Sequence, residues 1–294
     1  MNIIKKTVKD IKDLKIQGAT AIALASLKAL KKDWQKEKYQ QLGVLEKEIK
    51  QLKTSRPTEP LLFNCLDYVY WQSKCLNDLN HLNKIIEQLT ERLKEIQEEI
   101  VKNGAKLIKS GMKIFTHCHS SSVAEIFKEA KKRGKKFQVF LTETRPSCQG
   151  RTTAQELTRA GIQSTMVVDS AAAFIISKED KTPISLILLG CDAIYPQKGV
   201  LNKIGSYGIA LAAYQAKIPL YIAGSLLKTS LKPLPIEQRK SEEIWARKPR
   251  NLKILNLAFD LVPYKFITGM ITEFGIIKPE KIAELVKKHY SFIG

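Results

Sequence analysis

The chain has 294 residues, 44% hydrophobic and 27% charged, enough to bury a real core in one large domain or two ordinary ones and typical of a globular protein. No apolar run approaches the roughly 20 residues that a bilayer span needs, and the lysine-rich start is not followed by an apolar signal segment, so a cytoplasmic protein with no membrane association is expected. The net charge of +20 divides unevenly, with 19 basic and 14 acidic residues in 1–104 against 30 and 15 in the rest, a balance that suits polyanions such as nucleic acid or phosphorylated metabolites. The lysines are dispersed and no nucleic-acid motif is present, so a merely solvated lysine-rich surface accounts for the same numbers. Five scattered cysteines (Cys65, Cys75, Cys118, Cys148, Cys191) form no CxxC pair, which argues against a disulfide framework and a structural zinc.

The first hundred residues carry almost no strand signal. Residues 4–30 read as helix with a break at Gln17-Gly18, and Leu45, Ile49 and Leu52 share one helical face. Two prolines in SRPTEP interrupt, after which 61–70 resume a helical pattern. Leu76, Leu79, Leu82, Ile86, Leu89, Leu93, Ile96 and Ile100 then form a long amphipathic stripe, with Asn103-Gly104 as the expected C-cap. The stripe suits packing within a helical subdomain or, alternatively, a coiled-coil partner.

After Gly111 short apolar runs alternate with helical patterns. Strands are expected over 113–117, 137–142, 164–169, 184–190, 219–223 and 266–272, and helices over 121–133, 152–160, 171–176, 203–216 and 279–289. The stretch 227–250 is basic, proline-containing and weakly patterned, and reads as a long loop. The fold class is therefore α/β: a helical N-terminal subdomain over 1–104, followed over 105–294 by a Rossmann-like, doubly wound parallel sheet.

Ligands of such sheets bind beyond the carboxyl ends of the strands. The residues just past the expected strand ends are Cys118, 143–145, Asp169-Ser170 and Asp192, which puts a thiol, carboxylates and a guanidinium on one rim. Cys118 precedes a helix whose N-terminal N–H groups would stabilise a thiolate; a buried inert cysteine is the other reading. A metal site built on His117, Cys118 and His119 is disfavoured, because strand alternation turns the cysteine away from both histidines. Asp192, in GCDAI, suits an acid or base, or a turn cap. Arg145, Gln149 and Arg151 suit a phosphate, with Gly150 permitting close approach, or an ordinary solvated loop. Asn202-Lys203 ahead of IGSYG reads as a helix start that takes a second anion, or as a plain N-cap.

The set RPTEPLLFN, THCHS, TETRPSCQGRTTAQEL, VVDSAAA, GCDAI, LNKIGSYGIAL and LAFDLVP, in that order, resembles the family that unites ribose-1,5-bisphosphate isomerase, methylthioribose-1-phosphate isomerase and the regulatory alpha, beta and delta subunits of translation initiation factor 2B. The resemblance runs from IQGA to TEFGIIKP. It implies Cys118 and Asp192 as the reactive pair and Arg56, Arg145, Gln149, Arg151, Asn202 and Lys203 as substrate contacts. It also implies a phosphate at the loop Gln17, Gly18, Ala19, where the bisphosphate isomerases carry arginine instead of glutamine. Ser225, Leu227, Lys228 and Phe274 are further departures from the isomerase pattern. The expected activity is aldose-to-ketose isomerisation of a phosphorylated ribose, ribose 1,5-bisphosphate in the first place and methylthioribose 1-phosphate in the second, with no cofactor and no metal. A homo-oligomer, dimer or hexamer, is expected. The rival reading is a binding subunit that docks on initiation factor 2.

Overall fold

The computed structural model describes residues 2–34, 41–76, 81–177, 179 and 181–293. Two compact units divide the chain. The first takes residues 1–96, 227–234 and 283–294; the second takes 97–226 and 235–282.

The first unit is helical. Helix α1 (Ile3–Lys12) starts where Asn2 Oδ1 accepts the Ile4 N–H at 2.7 Å, and it buries Ile4, Val8 and Ile11 on one face. The break before α2 (Ala19–Trp34) is made by two left-handed residues, Leu14 at φ +59° and Gly18 at φ +87°. Helices α3 (Leu42–Lys53) and α4 (Pro60–Leu76) follow, and Pro60 opens α4, where its missing N–H costs nothing. Asn64 on α4 donates to the carbonyls of Leu227 (2.7 Å) and Thr229 (2.8 Å), which pins the returning segment. Helix α5 (Leu82–Leu107) buries Leu82, Ile86, Leu89, Leu93, Ile96 and Ile100, whereas Leu76 is exposed; Leu79 lies outside the described residues.

Asn103-Gly104 does not cap α5, which runs on to Leu107. A Cβ on Gly104 would lie 2.3 Å from Ile126 Cδ1, so the glycine lets α5 lie close to the helix that carries Ile126. Tight packing, not a left-handed cap, accounts for this glycine.

The second unit holds a seven-stranded sheet. Its strands are β1 (Lys113–Thr116), β2 (Gln138–Thr142), β3 (Gln163–Val167), β4 (Leu186–Leu189), β7 (Leu220–Ala223), β9 (Gly269–Thr272) and β10 (Gly275–Ile277), in spatial order β10-β9-β7-β4-β1-β2-β3. All neighbours pair in parallel except β10, which returns antiparallel on β9. The strand LILL of β4 is buried throughout, as a strand covered on both faces must be. Connecting helices are α6 (Ser121–Lys132), α7 (Gln149–Arg159), α8 (Ala172–Ser177) and α9 (Ser206–Gln215); α10 (Ile282–His289) belongs to the first unit from Ala283 on. This is the Rossmann-like α/β fold that the alternating pattern predicts.

A second, antiparallel sheet of β5 (Ala193–Tyr195), β6 (Gly199–Lys203) and β8 (Phe259–Pro263) was not expected. Asn202 and Lys203 therefore end a strand, and α9 begins three residues later at Ser206. The region 227–250 contains two short 3-10 turns and an isolated bridge from Gln238 to Leu257, and no α-helix or named strand, as its composition predicts. No helix among the described residues is long and apolar enough to cross a membrane.

Candidate active site

Strand order reverses between β1 and β4, the two strands from which the chain winds outward in opposite directions. The crevice at the carboxyl ends of such a pair is the usual ligand site of an open α/β sheet. Cys118 follows β1 and Asp192 follows β4. At Gly190 a Cβ would lie 2.6 Å from both Cβ and Oγ of Ser120, so the glycine lets the end of β4 pass against the start of α6. The Asp192 N–H then donates to Leu201 O at 2.9 Å, anchoring the carboxylate-bearing loop on β6.

Cys118 sits in a sharp turn between β1 and α6 with φ +68°, a left-handed conformation that costs a non-glycine residue about 1–2 kcal/mol. It is held on three sides. Its N–H donates to Thr144 Oγ1 (2.9 Å), its carbonyl accepts from Thr153 Oγ1 (2.9 Å), and its thiol donates to Gln149 Oε1 (3.3 Å). Burial pushes the thiol up to about 12, which outweighs the pull of the Lys203 ammonium; the carboxylates of Asp192 and Asp169 push the same way as burial. The expectation of a thiolate held by the α6 N-terminus is thus corrected. The helix starts at Ser121, the Ser120 side chain already caps it by accepting from the Val123 N–H, and desolvation dominates at Cys118. Lys203, Asp192 and Asp169 are thus the charged groups whose fields the sulfur feels.

The two histidines flanking Cys118 face other partners. His117 is buried, with Nδ1 2.6 Å from Thr142 Oγ1 and Nε2 2.9 Å from Ile204 O; Thr142 Oγ1 lies 3.0 Å from Thr144 Oγ1. Burial lowers its pKa to about 4, Lys203 assists, and Ile204 and Asp169 oppose, so the ring is neutral near pH 7. His119 Nδ1 lies 3.1 Å from Thr153 Oγ1 and its Nε2 3.6 Å from Glu156, which Lys128 binds at 2.8 Å. Burial lowers the His119 pKa. Each ring is engaged away from the thiol.

Asp169, at the end of β3, accepts the N–H groups of Thr144 (2.8 Å) and Arg145 (2.7 Å), so one carboxylate shapes the loop that presents the Arg145 guanidinium. Arg145 and Asp169 line a cavity of about 390 Å³ together with His117, Thr142, Gly205 and Gly208. Neither Cys118 nor Asp192 forms part of its wall, so it lies on the His117 side of the strand end.

Gly150 serves the fold where a phosphate approach was expected. A Cβ there would lie 1.9 Å from the Thr142 carbonyl oxygen, so the start of α7 rests on the end of β2. Arg151 is exposed and paired with Glu143 through Nε (3.0 Å) and a second short contact from Nη2. Asn202 is buried with its amide on Ser206 Oγ (2.9 Å), and the Lys203 ammonium lies 5.0 Å from the centre of the Phe259 ring. Asp260, which the sequence reading passed over inside LAFDLVP, caps α9 by accepting from Gly205 N–H (2.7 Å) and Tyr207 N–H (3.1 Å). Burial raises its pKa to about 6 against those two hydrogen bonds.

The second unit thus gathers Cys118, Arg145, Gln149, Arg151, Asp192, Asn202 and Lys203. Gln17, Gly18, Ala19 and Arg56 belong to the first unit: Gln17 Nε2 donates to Leu14 O (2.8 Å), Gly18 and Ala19 lead into α2, and Arg56 stands in the turn between α3 and α4. Thr142, Thr144 and Thr153 were missed as supports of Cys118, although the Thr-Glu-Thr spacing at the end of a strand already put two hydroxyls on one side.

These features define an α/β protein with a thiol and a carboxylate at the switch point of a Rossmann-like sheet. The chain belongs to the initiation factor 2 subunit family, whose sequence model matches residues 15–279. It is 36% identical over 308 positions to a ribose 1,5-bisphosphate isomerase of Methanocaldococcus jannaschii, covering 100% of this chain and 97% of that one. It is 33% identical to methylthioribose-1-phosphate isomerase 2 of Pseudothermotoga lettingae, over 95% of this chain and 88% of that one. Among solved structures, the translation initiation factor eIF-2B of Pyrococcus horikoshii superposes with a TM-score of 0.82 at 26% identity, covering 95% of this chain and 98% of that one.

Proposed function

We propose that this protein is an aldose–ketose isomerase of a phosphorylated ribose, converting ribose 1,5-bisphosphate to ribulose 1,5-bisphosphate. The observation that carries this reading is the pairing of Cys118 and Asp192 at the ends of the two strands that flank the switch point, with Lys203 in electrostatic reach. The names of the archaeal relatives support the substrate class.

The reaction needs no net oxidant. The C1–O4 and C2–H bonds break, a C1–H bond and a C2 carbonyl form, and the proton of the C2 hydroxyl passes to O4. Cys118 carries the proton from C2 to C1, and Asp192 carries the proton between the two oxygens. Because burial keeps the thiol protonated at rest, its proton passes first to the Asp192 carboxylate, which delivers it to O4 as the ring opens; the thiolate, favoured by Lys203, then moves the C2 proton to C1, and Asp192 takes the C2 hydroxyl proton and returns it to Cys118. Arg145, Gln149, Arg151, Asn202 and Lys203 are the proposed phosphate and hydroxyl contacts. For Gln17, Gly18, Ala19 and Arg56 the same role rests on the motif resemblance. The enzyme works in the cytoplasm as a homo-oligomer, dimer or hexamer, on this reading.

The test is conversion of ribose 1,5-bisphosphate followed by NMR. Cys118→Ser and Asp192→Asn are each expected to lower kcat by a factor on the order of 10²–10⁴. Undiminished turnover in either variant would discard the mechanism. A binding role is favoured by one observation, the engagement of Arg151 by Glu143. Recovery of initiation factor 2 in a pull-down, with no isomerisation of any ribose 1-phosphate derivative, would establish that role instead.

A further inference from the structure

We infer that His117 is a positioning residue for Cys118, acting through the hydroxyls of Thr142 and Thr144 to hold the Cys118 backbone in its left-handed turn; this rests on the proposed reactivity of Cys118.

The hydrogen-bond chain has a single direction. Ile204 O can only accept, so His117 Nε2 carries the hydrogen that spans 2.9 Å to it. In a neutral ring Nδ1 must then accept, and Thr142 Oγ1, 2.6 Å away, is the donor. With its only hydrogen committed, Thr142 can meet Thr144, 3.0 Å away, solely as acceptor, so the Thr144 hydroxyl donates to it. Thr144 Oγ1 is left with its lone pairs free for the Cys118 N–H at 2.9 Å. Every donor in the chain is accounted for, and reversing any one of them leaves two hydrogens or none between a pair. A backbone carbonyl on the β6–α9 connection thereby orients the N–H of a cysteine at the end of β1.

The setting makes this more than core satisfaction. Thr142 and Thr144 are both buried, so a lost link leaves a buried polar group without its partner. Both Cys118 at φ +68° and Thr144 at φ +66° occupy left-handed conformations, and each is held by the bond between them. On the next peptide, Thr153 donates to the Cys118 carbonyl at 2.9 Å and so fixes the second plane. A thiol on an unsupported turn would relax toward right-handed backbone and swing its Sγ away from Gln149.

Thr142→Val keeps the size and branching of the side chain and deletes the link at its centre, whereas Thr142→Ser keeps the hydroxyl. Two measurements apply to each protein. One is isomerase turnover, and the other is the rate of Cys118 alkylation by iodoacetamide, read for that peptide alone by mass spectrometry. Thr142→Val is expected to lower kcat by about 10- to 100-fold with KM within about two-fold, because misplacing a reacting group by an ångström costs on that order. It should also change the Cys118 alkylation rate by about ten-fold, and Thr142→Ser should restore both toward wild type. Thr144→Val and Thr144→Ser form the second pair should Thr142→Val not fold.

If the valine variants match wild type in alkylation and turnover, or if serine fails to rescue, His117 does not position Cys118. The proposed function fails separately, when Cys118→Ser retains turnover. In that case the alkylation readout still decides whether the chain holds the thiol.

Discussion

Cys118 and His117 are neighbours whose protonation is set by the same burial with opposite consequences. The thiol is pushed up to about 12 and the imidazole down to about 4, so both are neutral near pH 7. For His117, the unfolded chain binds more protons than the folded one between about pH 6.5 and about pH 4, and stability is lost as pH falls through that window, by on the order of 3 kcal/mol in total. The charged groups facing it are Asp169, which favours the imidazolium, and Lys203, which opposes it. Asp260 works the other way: its raised pKa of about 6 means that stability falls as pH rises from about 4 toward 6. The melting temperature should therefore drop on going from about pH 7 to about pH 5 by less than His117 alone would produce. His117→Gln should flatten or invert that slope, and an unchanged slope would show that the ring is not the titrating group. At this scale the sequence displayed residue types and spacing: the places of Cys118, Asp192 and the arginines after strands could be read from it, and their proposed roles rest on that placement. The direction of the thiol shift could not, because it depends on burial and on charged groups such as Asp169 and Lys203 that lie far from Cys118 in sequence and act on it only after folding.

Elements with local signals were legible, and those with distant partners were not. Strand β4 is a continuous apolar run and β1, β2, β7 and β9 are mostly apolar, so their positions followed from local composition, whereas β3 (QSTMV) is half polar and was placed by its apolar end and by the alternation with helices. Strands β5 and β6 are short and polar at their ends, and β6 finds its second partner in β8, Lys203 pairing with Phe259. Nothing within a local window distinguishes Asn202-Lys203 on such a strand from a helix cap. Glycine is ambiguous for a related reason, since a cap, a flexible site and a tight contact look alike in sequence. Gly104 and Gly150 provide a test of that difference. Ala at 104 gains about 1 kcal/mol of helix propensity but drives its Cβ into a side chain, Ile126, which can shift; a net loss of about 1–2 kcal/mol is expected. Ile126→Val should recover part of it, so the two changes should be non-additive in a double-mutant cycle of denaturant unfolding. At 150 the obstruction is the Thr142 backbone carbonyl, which cannot rotate aside without unpairing β2. Gly150→Ala should cost more than about 3 kcal/mol or abolish folding, and no single neighbouring substitution should rescue it. A milder effect at 150 than at 104 would contradict the packing described.

For the whole molecule the open question is what the excess positive charge does. Residues 105–294 contain twice as many basic as acidic side chains, and the proposed substrate carries two phosphates. A general field attracts anions over distances set by the Debye length, which shrinks from about 14 Å at 50 mM salt to about 4 Å at 500 mM. Direct phosphate contacts of the kind proposed for Arg145 and Lys203 would be screened less, because such contacts are short and partly desolvated. The two contributions therefore separate under salt. If the field captures substrate, KM for ribose 1,5-bisphosphate should rise several-fold across that range while kcat changes by less than about two-fold, since chemistry inside the site does not sense bulk ions. A singly phosphorylated ribose should show a shallower rise. Arg145→Gln should raise KM at every salt concentration and leave the slope nearly unchanged, because it removes a contact and hardly alters the field. A flat KM for the bisphosphate would assign the charge to a solvated surface with no part in capture, and a slope abolished by Arg145→Gln would place the whole electrostatic effect in one guanidinium. The comparison also bears on Gln17, where the motif resemblance leads one to expect arginine. Gln17→Arg adds a cation at the loop before α2 and should lower KM for the bisphosphate without altering KM for the monophosphate, provided that loop holds the second phosphate. Equal shifts for both substrates would mean that Gln17→Arg merely adds to the field.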